Sequence, residues 1–462
     1  MIPHKKYLYG ILALALALRL ALFYTALGSP SRFFKPDSYG YDKMAMNILT
    51  YRTFSTLAGS PPKPDCIRTP VYPLFLSGIY SIFGHRPEIA VFLQILLSGL
   101  TLVLLYGIVT MLFAHPGAAL AASLLYALEP ASAILPNYIL TETLFTFLVL
   151  LAFYFLIRWI KENKSGDAAI SLVAMSLAAL TRPIFTFYPP IVFIFLFLVF
   201  LGRGSKGRKN MRLVGIAVLC YTAIVGTWVL RNFLVTGEVT ISTVADPLEF
   251  GFATNMVTVS EGVPRKTAEE KLLRECPGFP KATRFYLQSA KAQNELLRAC
   301  GKWYIKNSGA GFIWRSVKSV PDPLLPRADM FSILMYGRNP EIGFKALFAA
   351  RRPATYAAEY LYLAAALVFL TAVYLFAAAG AARLLLPSGR DPRSIPLRGL
   401  SQEAHRKGNS VAIFLICLFI AYYLACSALM YEERNRVPVF PFIALLAAYG
   451  IVPLKTGPLK QP

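Results

Sequence analysis

Acidic and basic side chains lie at the ends of several apolar runs in this sequence. Asp37 follows Pro36 shortly after the first run, and Glu142 opens a later run directly after Thr141. The arginines at comparable positions are Arg68, Arg182, Arg231, Arg434 and Arg436. The fork of an arginine pairs with phosphate oxygens, and a carboxylate can take a proton from an attacking hydroxyl. This combination suits chemistry in which a phosphate is the leaving group.

Each of these residues also has a structural interpretation. Asp37 would cap the surface helix that is predicted where apolar residues recur at helical spacing, at Tyr41, Met44, Ala45, Ile48 and Leu49. Arg68 stands before Thr69-Pro70-Val71-Tyr72-Pro73 and would snorkel at a membrane interface. Glu129, next to Pro130, and Glu142 would accept hydrogen bonds at helix ends. Convergence on one membrane face favours a site, because unrelated interfacial anchors should occur on both faces.

The elements that carry these residues are apolar. The chain has 462 residues, of which 56% are hydrophobic and 15% charged, with a mean hydropathy of +0.53. Such a composition indicates an integral membrane protein. The net charge is +23, but the basic residues are dispersed among short loops. They are expected to meet membrane lipids and phosphorylated lipid substrates, and no nucleic acid.

A membrane-spanning helix needs roughly 20 apolar residues. The sequence predicts about ten such spans, near 7–27, 88–113, 117–135, 138–160, 168–182, 184–201, 211–234, 357–386, 410–430 and 436–453. The run 71–84 is too short to cross and is expected to lie in the interface or to dip in and return. The predicted fold class is therefore an all-α polytopic membrane protein.

Lysine and arginine in short loops predict the orientation. Four groups share one side with both termini, which makes that side cytoplasmic: Lys5 and Lys6; Arg158, Lys161 and Lys164; Arg203 to Arg212; and Arg390 to Lys407. The outward segment 28–87 is also basic, but it is long enough for the charge rule to weaken. We expect three divisions: a transmembrane catalytic module, an extracytoplasmic lobe and C-terminal transmembrane helices. Their ranges are 1–234, 235–356 and 357–462.

Histidine and cysteine limit the metal and redox chemistry. The four histidines are far apart, and none has zinc-ligand spacing. Cys276 and Cys300 fall in the predicted outer lobe, where a disulfide and free buried thiols are alternatives. The stretches 269–274 and 290–306 are helix-compatible, which predicts an ordered lobe rather than a linker.

In its order of short motifs, the sequence resembles the bacterial branch of the GT-C glycosyltransferases. That superfamily includes protein O-mannosyltransferases and the enzymes that put aminoarabinose on lipid A. The motifs are Pro36-Asp37-Ser38, Arg68-Thr69-Pro70, Leu140-Thr141-Glu142, Thr181-Arg182-Pro183, Trp228 to Asn232 and Arg434-Asn435-Arg436-Val437-Pro438. The resemblance extends over most of the chain except 255–355.

The resemblance implies that Asp37 is the general base of an inverting transfer from a polyprenyl-phosphate sugar. It places Arg68 near the donor phosphate and makes Glu142 a second carboxylate that positions the acceptor or supports Asp37. It makes Arg231 and Arg436 further phosphate contacts. We also expect Tyr72, Arg182 and Arg434 to bind substrate. No cofactor is required, although Mg²⁺ or Mn²⁺ would bridge Asp37 and the phosphate if a metal were used.

Two departures leave the sugar and the acceptor open. Ser38 follows Asp37 where mannosyltransferases usually have an Asp-Glu pair, and Ile67 and Arg68 stand where aminoarabinose transferases have an acidic residue and a lysine. The acceptor is expected to be a lipid, a glycan or a protein, on the outer face of a bacterial or archaeal inner membrane. The alternatives are a flippase or transporter for lipid-linked glycans, a polysaccharide polymerase or ligase, and a structural scaffold. A flippase should show deep polar residues and internal repeats, and neither is evident.

Overall fold

Each of the ten predicted apolar runs contains an α-helix in the computed structural model. The structure describes residues 3–243, 265–277, 290–308, 324–338, 354–385, 401–427 and 433–452, with isolated residues at 250, 253, 254, 257, 261 and 347. Helices make up most of these described residues, so the predicted all-α polytopic fold is confirmed.

The first half of the chain forms ten α-helices. They are α1 (Pro3–Leu27), α2 (Pro36–Tyr51), α3 (Val71–Phe83), α4 (Pro87–Phe113), α5 (Pro116–Leu128), α6 (Pro130–Ile134), α7 (Glu142–Glu162), α8 (Ser165–Ala179), α9 (Tyr188–Leu201) and α10 (Arg208–Thr236). The later described helices are α11 (Arg265–Glu275), α12 (Ala290–Asn307), α13 (Asp329–Tyr336), α14 (Ala357–Leu385), α15 (Ser401–Ser427) and α16 (Phe440–Ile451).

Helix length sets how many of these elements can cross a bilayer. Seven segments of the described chain are long and apolar enough to cross, or eight if a bent helix pair forms one span. The apolar helices α3, α8 and α16 are shorter, with 13, 15 and 12 residues. The chain is therefore a multi-span membrane protein, while the count of ten spans stays a prediction. Helix α3 agrees with the expectation that 71–84 is too short to cross.

The predicted third span, 117–135, is not one continuous helix. It is broken between α5 and α6, whose axes differ by 69°. Pro130 lacks the N–H that a continuing helix needs, and the residue before a proline is pushed towards extended backbone. Glu129 accordingly has φ −65° and ψ 121°, and its carboxylate accepts hydrogen bonds from the backbone N–H groups of Ala131 and Ser132. The break therefore makes Glu129 the cap of α6.

The amphipathic helix predicted after Asp37 is present as α2. It begins at Pro36, where the Oγ of Ser38 accepts a hydrogen bond from the backbone N–H of Lys35 at 2.9 Å. Its predicted apolar residues Tyr41, Met44 and Ala45 are buried. Helix α2 packs against α3, so its apolar face lies on protein. This packing fixes Asp37 in the first turn of a supported helix.

Helices α14 and α16 approach each other closely through two glycines. A Cβ on Gly380 would lie 2.0 Å from the carbonyl oxygen of Leu446, and a Cβ on Gly450 would lie 2.1 Å from that of Phe376. Only glycine permits such backbone contact, which is a common way for membrane helices to associate. The close contact holds α16 in place, and with it the 3₁₀ turn Glu433–Arg436 that precedes α16.

The predicted outer lobe is described in part. Helices α11 and α12 match the helix-compatible stretches 269–274 and 290–306, and Cys276 and Cys300 join them through a disulfide with a Cα–Cα distance of 5.4 Å. Arg390, Arg393 and Arg398, which contribute to the predicted orientation, lie outside the described residues. The structure has no membrane, so the sidedness of the chain stays a prediction.

Candidate active site

Asp37 lies between two arginines from distant parts of the chain. Its Oδ1 atom is 2.8 Å from a guanidinium nitrogen of Arg68, and its Oδ2 atom is 2.8 Å from a guanidinium nitrogen of Arg434. Asp37 belongs to α2, Arg68 to the loop before α3, and Arg434 to the turn before α16. Three of the predicted site residues therefore meet at one carboxylate.

Glu142 forms the second carboxylate of the same cluster. Its Oε1 atom lies 2.5 Å from Arg182 and 3.5 Å from the Nε of Arg434. Arg182 also donates to Thr141 at 3.3 Å and to the side-chain oxygen of Asn435 at 2.9 Å. Arg434 thus bridges the two carboxylates, and Arg182 completes a continuous ionic cluster.

The cluster has more positive than negative charge. Three arginines share two carboxylates, which leaves one positive charge in excess among these five residues. Glu142 is 1% exposed, whereas the Asp37 side chain is 32% exposed and is the most accessible of the five. A ligand from outside would therefore meet Asp37 and the edges of its two arginines first. An anion with a single charge would balance the excess.

The ionisation of Asp37 reflects opposing effects. Burial alone would raise the pKa of Asp37, but the charges of Arg434 and Arg68 and their hydrogen bonds outweigh burial and hold this pKa well below its usual value. The carboxylate is thus ionised at neutral pH. It is also a weak base in this arrangement, since a general base works best when its pKa is near the working pH.

An aromatic side chain packs against the guanidinium of Arg68. Its guanidinium lies 4.6 Å from the ring centroid of Tyr41 and donates to the Tyr41 hydroxyl at 3.3 Å. The Tyr41 ring in turn meets Tyr72 edge-on at 5.0 Å. Tyr72 is fully buried, and its hydroxyl donates to Gln94 at 2.7 Å. Tyr72 therefore lies behind Tyr41 and supports its ring, and its contact with a substrate stays a prediction.

Arg231 makes its contacts away from the ionic cluster. It donates to the carbonyl oxygens of Asp65 and Phe54 and to the side-chain oxygen of Asn232. It also packs against the rings of Phe54 and Trp228, with centroid distances of 5.2 and 5.0 Å. These contacts fix the outer loop that leads to Arg68. The role of Arg231 as a phosphate contact stays a prediction.

Arg436 pairs with Glu129, although it is only two residues from Arg434. Its Nε and one terminal nitrogen lie 3.1 and 2.8 Å from the Oε1 atom of Glu129. The two side chains are 1% and 0% exposed. Arg436 is thus enclosed by protein in this structure, and its contact with the donor phosphate stays a prediction.

Several residues that hold the site in place belong to no recognisable sequence motif. Lys35, directly before Pro36, pairs with Asp329 of α13 at 3.3 Å. This pair brings α13, which belongs to the predicted outer lobe, beside the start of α2. The Asp65 carboxylate accepts from the backbone N–H groups of Thr56 and Ile67 and orders the loop that carries Arg68. A lone polar residue in a predicted loop is common, so these partners could not be singled out from the sequence.

Residues 64–229 match the family model for dolichyl-phosphate-mannose-protein mannosyltransferases. Over this segment, the predicted resemblance to protein O-mannosyltransferases is confirmed. The matched segment contains Arg68, Glu142 and Arg182, and Asp37 and Arg434 lie outside it. Among curated proteins, no relative matches.

Two solved structures align with most of this chain at low sequence identity. One is the archaeal oligosaccharyltransferase AglB from Archaeoglobus fulgidus, in complex with an inhibitory peptide and a dolichol-phosphate. It is 12% identical with a TM-score of 0.49, and the match covers 97% of this chain and 50% of that one. The other is ArnT from Cupriavidus metallidurans bound to undecaprenyl phosphate, 12% identical with a TM-score of 0.40, covering 96% and 78%. The chain thus spans half the length of the oligosaccharyltransferase.

Proposed function

We propose that this chain transfers a sugar from a polyprenyl-phosphate donor to an acceptor hydroxyl. The observation that carries the proposal is the placement of Asp37, partly exposed, between Arg68 and Arg434. The excess positive charge of the cluster matches a phosphodiester with one negative charge. The family match over residues 64–229 supports the same reaction class.

The reaction balances with the groups at the site. The acceptor oxygen attacks the anomeric carbon while the bond from that carbon to the phosphate oxygen breaks, and polyprenyl phosphate leaves with the electron pair. Asp37 takes the acceptor proton, and the arginines stabilise the charge that develops on the phosphate. Attack opposite the leaving group inverts the anomeric configuration.

Donor binding would change the strength of the base. A phosphate that draws Arg68 and Arg434 towards its own oxygens weakens their pairing with Asp37. The pKa of Asp37 would then rise from its depressed value towards the range of a useful base. The donor thereby activates the residue that reacts with the acceptor.

Glu142 is proposed to hold the arginines rather than to exchange protons. It is fully buried, and Arg182 and Arg434 both lie within ion-pair distance of it. A second carboxylate in this position keeps Arg434 oriented when the donor phosphate competes for its other nitrogens. The acceptor role inferred for Glu142 from the resemblance is less compatible with this enclosure.

A divalent cation is not needed for this chemistry. Both Asp37 oxygens are engaged by guanidinium groups. Within the described parts of the chain, no three histidine, cysteine, aspartate or glutamate side chains converge as metal ligands. A Mg²⁺ or Mn²⁺ ion at Asp37 would share these oxygens with two guanidinium groups, whose positive charges repel it. We therefore propose that transfer does not depend on a metal.

The site is proposed to face the extracytoplasmic side, with both termini in the cytoplasm. The Cys276–Cys300 disulfide supports this sidedness, because disulfides persist in oxidising compartments. The lysines and arginines of the short loops support it independently. A bacterial or archaeal inner membrane fits both features.

The proposal is tested with purified protein in liposomes and a panel of radiolabelled polyprenyl-phosphate sugars. Transfer of label to an acceptor lipid, glycan or peptide supports it and identifies the donor. Movement of the donor across the bilayer without transfer would contradict it and would favour a flippase.

A further inference from the structure

The turn Glu433–Arg436 directs three consecutive side chains to four partners. Arg434 reaches Asp37 and Glu142, Asn435 accepts from Arg182, and Arg436 pairs with Glu129. The first two contacts belong to the ionic cluster. The third is a fully buried pair outside it.

The partner of Arg436 is itself firmly held. Glu129 caps α6 at the break between α5 and α6, through the N–H groups of Ala131 and Ser132. From the other side, the buried Arg19 donates to the carbonyl oxygens of Ala127 and Ser132, at 3.4 and 3.1 Å. The bent helix pair is therefore fixed around Glu129, which offers Arg436 an immobile carboxylate.

We propose that the Glu129–Arg436 pair is a positioning anchor that sets the place of Arg434 and Asn435 in the ionic cluster. Arg436 does not touch the donor, since it is 1% exposed and both of its nitrogens nearest Glu129 share one oxygen. A planar guanidinium held in this way fixes its own backbone, and Arg434 lies two residues away in the same turn. The consequence for the donor rests on the proposed function.

Single substitutions at this pair leave a lone buried charge and risk loss of folding. The paired variant Glu129→Gln with Arg436→Met removes both charges of the pair, and the glutamine amide keeps an oxygen for the cap of α6. The neighbouring Arg19 keeps its hydrogen bonds to the carbonyl oxygens of Ala127 and Ser132. A matched control is Arg158→Met with Asp167→Asn, which removes another ion pair, 3.4 Å apart, between α7 and α8. Only variants that purify as monodisperse protein are compared.

The first measurement is hydrogen exchange of the turn, which needs no ligand. The backbone N–H groups of Val437 and Val439 donate to the carbonyl oxygens of Arg434 and Arg436. We expect these amides to exchange at least about tenfold faster in the paired variant than in wild type or the control. Unchanged exchange would overturn the anchor.

The second measurement is binding of undecaprenyl phosphate in detergent, which needs no transfer. We expect Arg434→Gln and the paired variant each to weaken binding roughly ten- to hundred-fold, as for a lost charged hydrogen bond. Because both act through Arg434, combining them should add little. Losses that add in full would show that the pair affects binding independently of Arg434 and would overturn the proposal.

The two measurements separate this inference from the proposed function. Faster exchange of the turn together with non-additive binding losses supports the anchor. If the turn loosens but the wild-type protein does not bind the lipid phosphate, the proposed function fails and the anchor stands. If binding is strong and the paired variant leaves it unchanged, the anchor has no role at the site and the proposal is overturned.

Discussion

The carboxylate of Asp37 lies 2.8 Å from a guanidinium nitrogen of Arg434, although 397 residues separate the two in the sequence. Arg434 belongs to the predicted C-terminal division and Asp37 to the first. The candidate site is therefore completed by the last part of the chain, and the first division alone does not contain it. The arginines of the site come from different parts of the chain, so each can be substituted separately to test its contribution.

Arg68→Ala should weaken binding of a polyprenyl-phosphate donor. The substitution removes one guanidinium from the exposed side of Asp37, and a charged hydrogen bond contributes about 1.5–3 kcal/mol. Affinity for undecaprenyl phosphate, titrated in detergent, should fall roughly ten- to hundred-fold. Lys43→Gln, at an exposed lysine of α2, is the matched control and should leave affinity unchanged. Equal affinities for Arg68→Ala and wild type would remove Arg68 from the donor site.

The pH dependence of transfer should report the pairing of Asp37. Its pKa is held low in the free protein, so kcat/KM should remain high until the pH falls through that low value. With the donor bound, the arginines are shared and the acid limb of kcat should lie at higher pH. Arg434→Gln removes one of the charges that lower this pKa and should move the acid limb of kcat/KM to higher pH. Steady-state rates measured over an acidic to neutral series test this, and a limb that stays in place would contradict the pairing.

Glu142→Ala should destabilise the protein more than Asp37→Ala. Glu142 is buried, and its loss leaves Arg182 without its nearest carboxylate, whereas the arginines beside Asp37 are partly exposed and can reach water. Removing one partner of a buried pair costs about 3–5 kcal/mol. The midpoint of thermal unfolding in detergent should therefore fall clearly for Glu142→Ala and only slightly for Asp37→Ala. The reverse order would show that Glu142 does not hold the cluster together.

The disulfide provides a test of sidedness. In sealed spheroplasts, Cys276 and Cys300 should resist a membrane-impermeant maleimide until an impermeant reductant is added, because an oxidised pair has no free thiol. A variant lacking the four free cysteines, Cys66, Cys220, Cys417 and Cys426, is the background for this measurement. Labelling that requires lysis as well as reduction would place the lobe in the cytoplasm.

The site residues whose location could be predicted from the sequence are those at the ends of predicted helices. Asp37, Glu142 and Arg182 each flank a helix beside a proline or a threonine, so alternation of the spans brings them to one face. Their pairing could not be predicted, because it depends on how distant helices pack.

Other features of the structure could not be predicted for a similar reason. Arg434 and Arg436 share one short motif, and only the course of the 3₁₀ turn sends one to Asp37 and the other to Glu129. The break at Pro130 was hidden because the residues on both sides of it are apolar. Tyr72 lies between two prolines in the sequence, which gives no indication that its side chain points away from the cluster.

The most direct test of the account compares transfer by wild-type protein, Asp37→Asn and Asp42→Asn in liposomes with the donor that the panel identifies. Asp42 is a matched carboxylate on α2, where it accepts from Tyr80 at 2.7 Å and lies 2.9 Å from His85, outside the ionic cluster. We expect Asp37→Asn to lower the transfer rate by at least about 100-fold, as for loss of a general base. Donor binding should persist in Asp37→Asn, and Asp42→Asn should stay active. Transfer by Asp37→Asn at the wild-type rate would contradict the role of Asp37 as the general base.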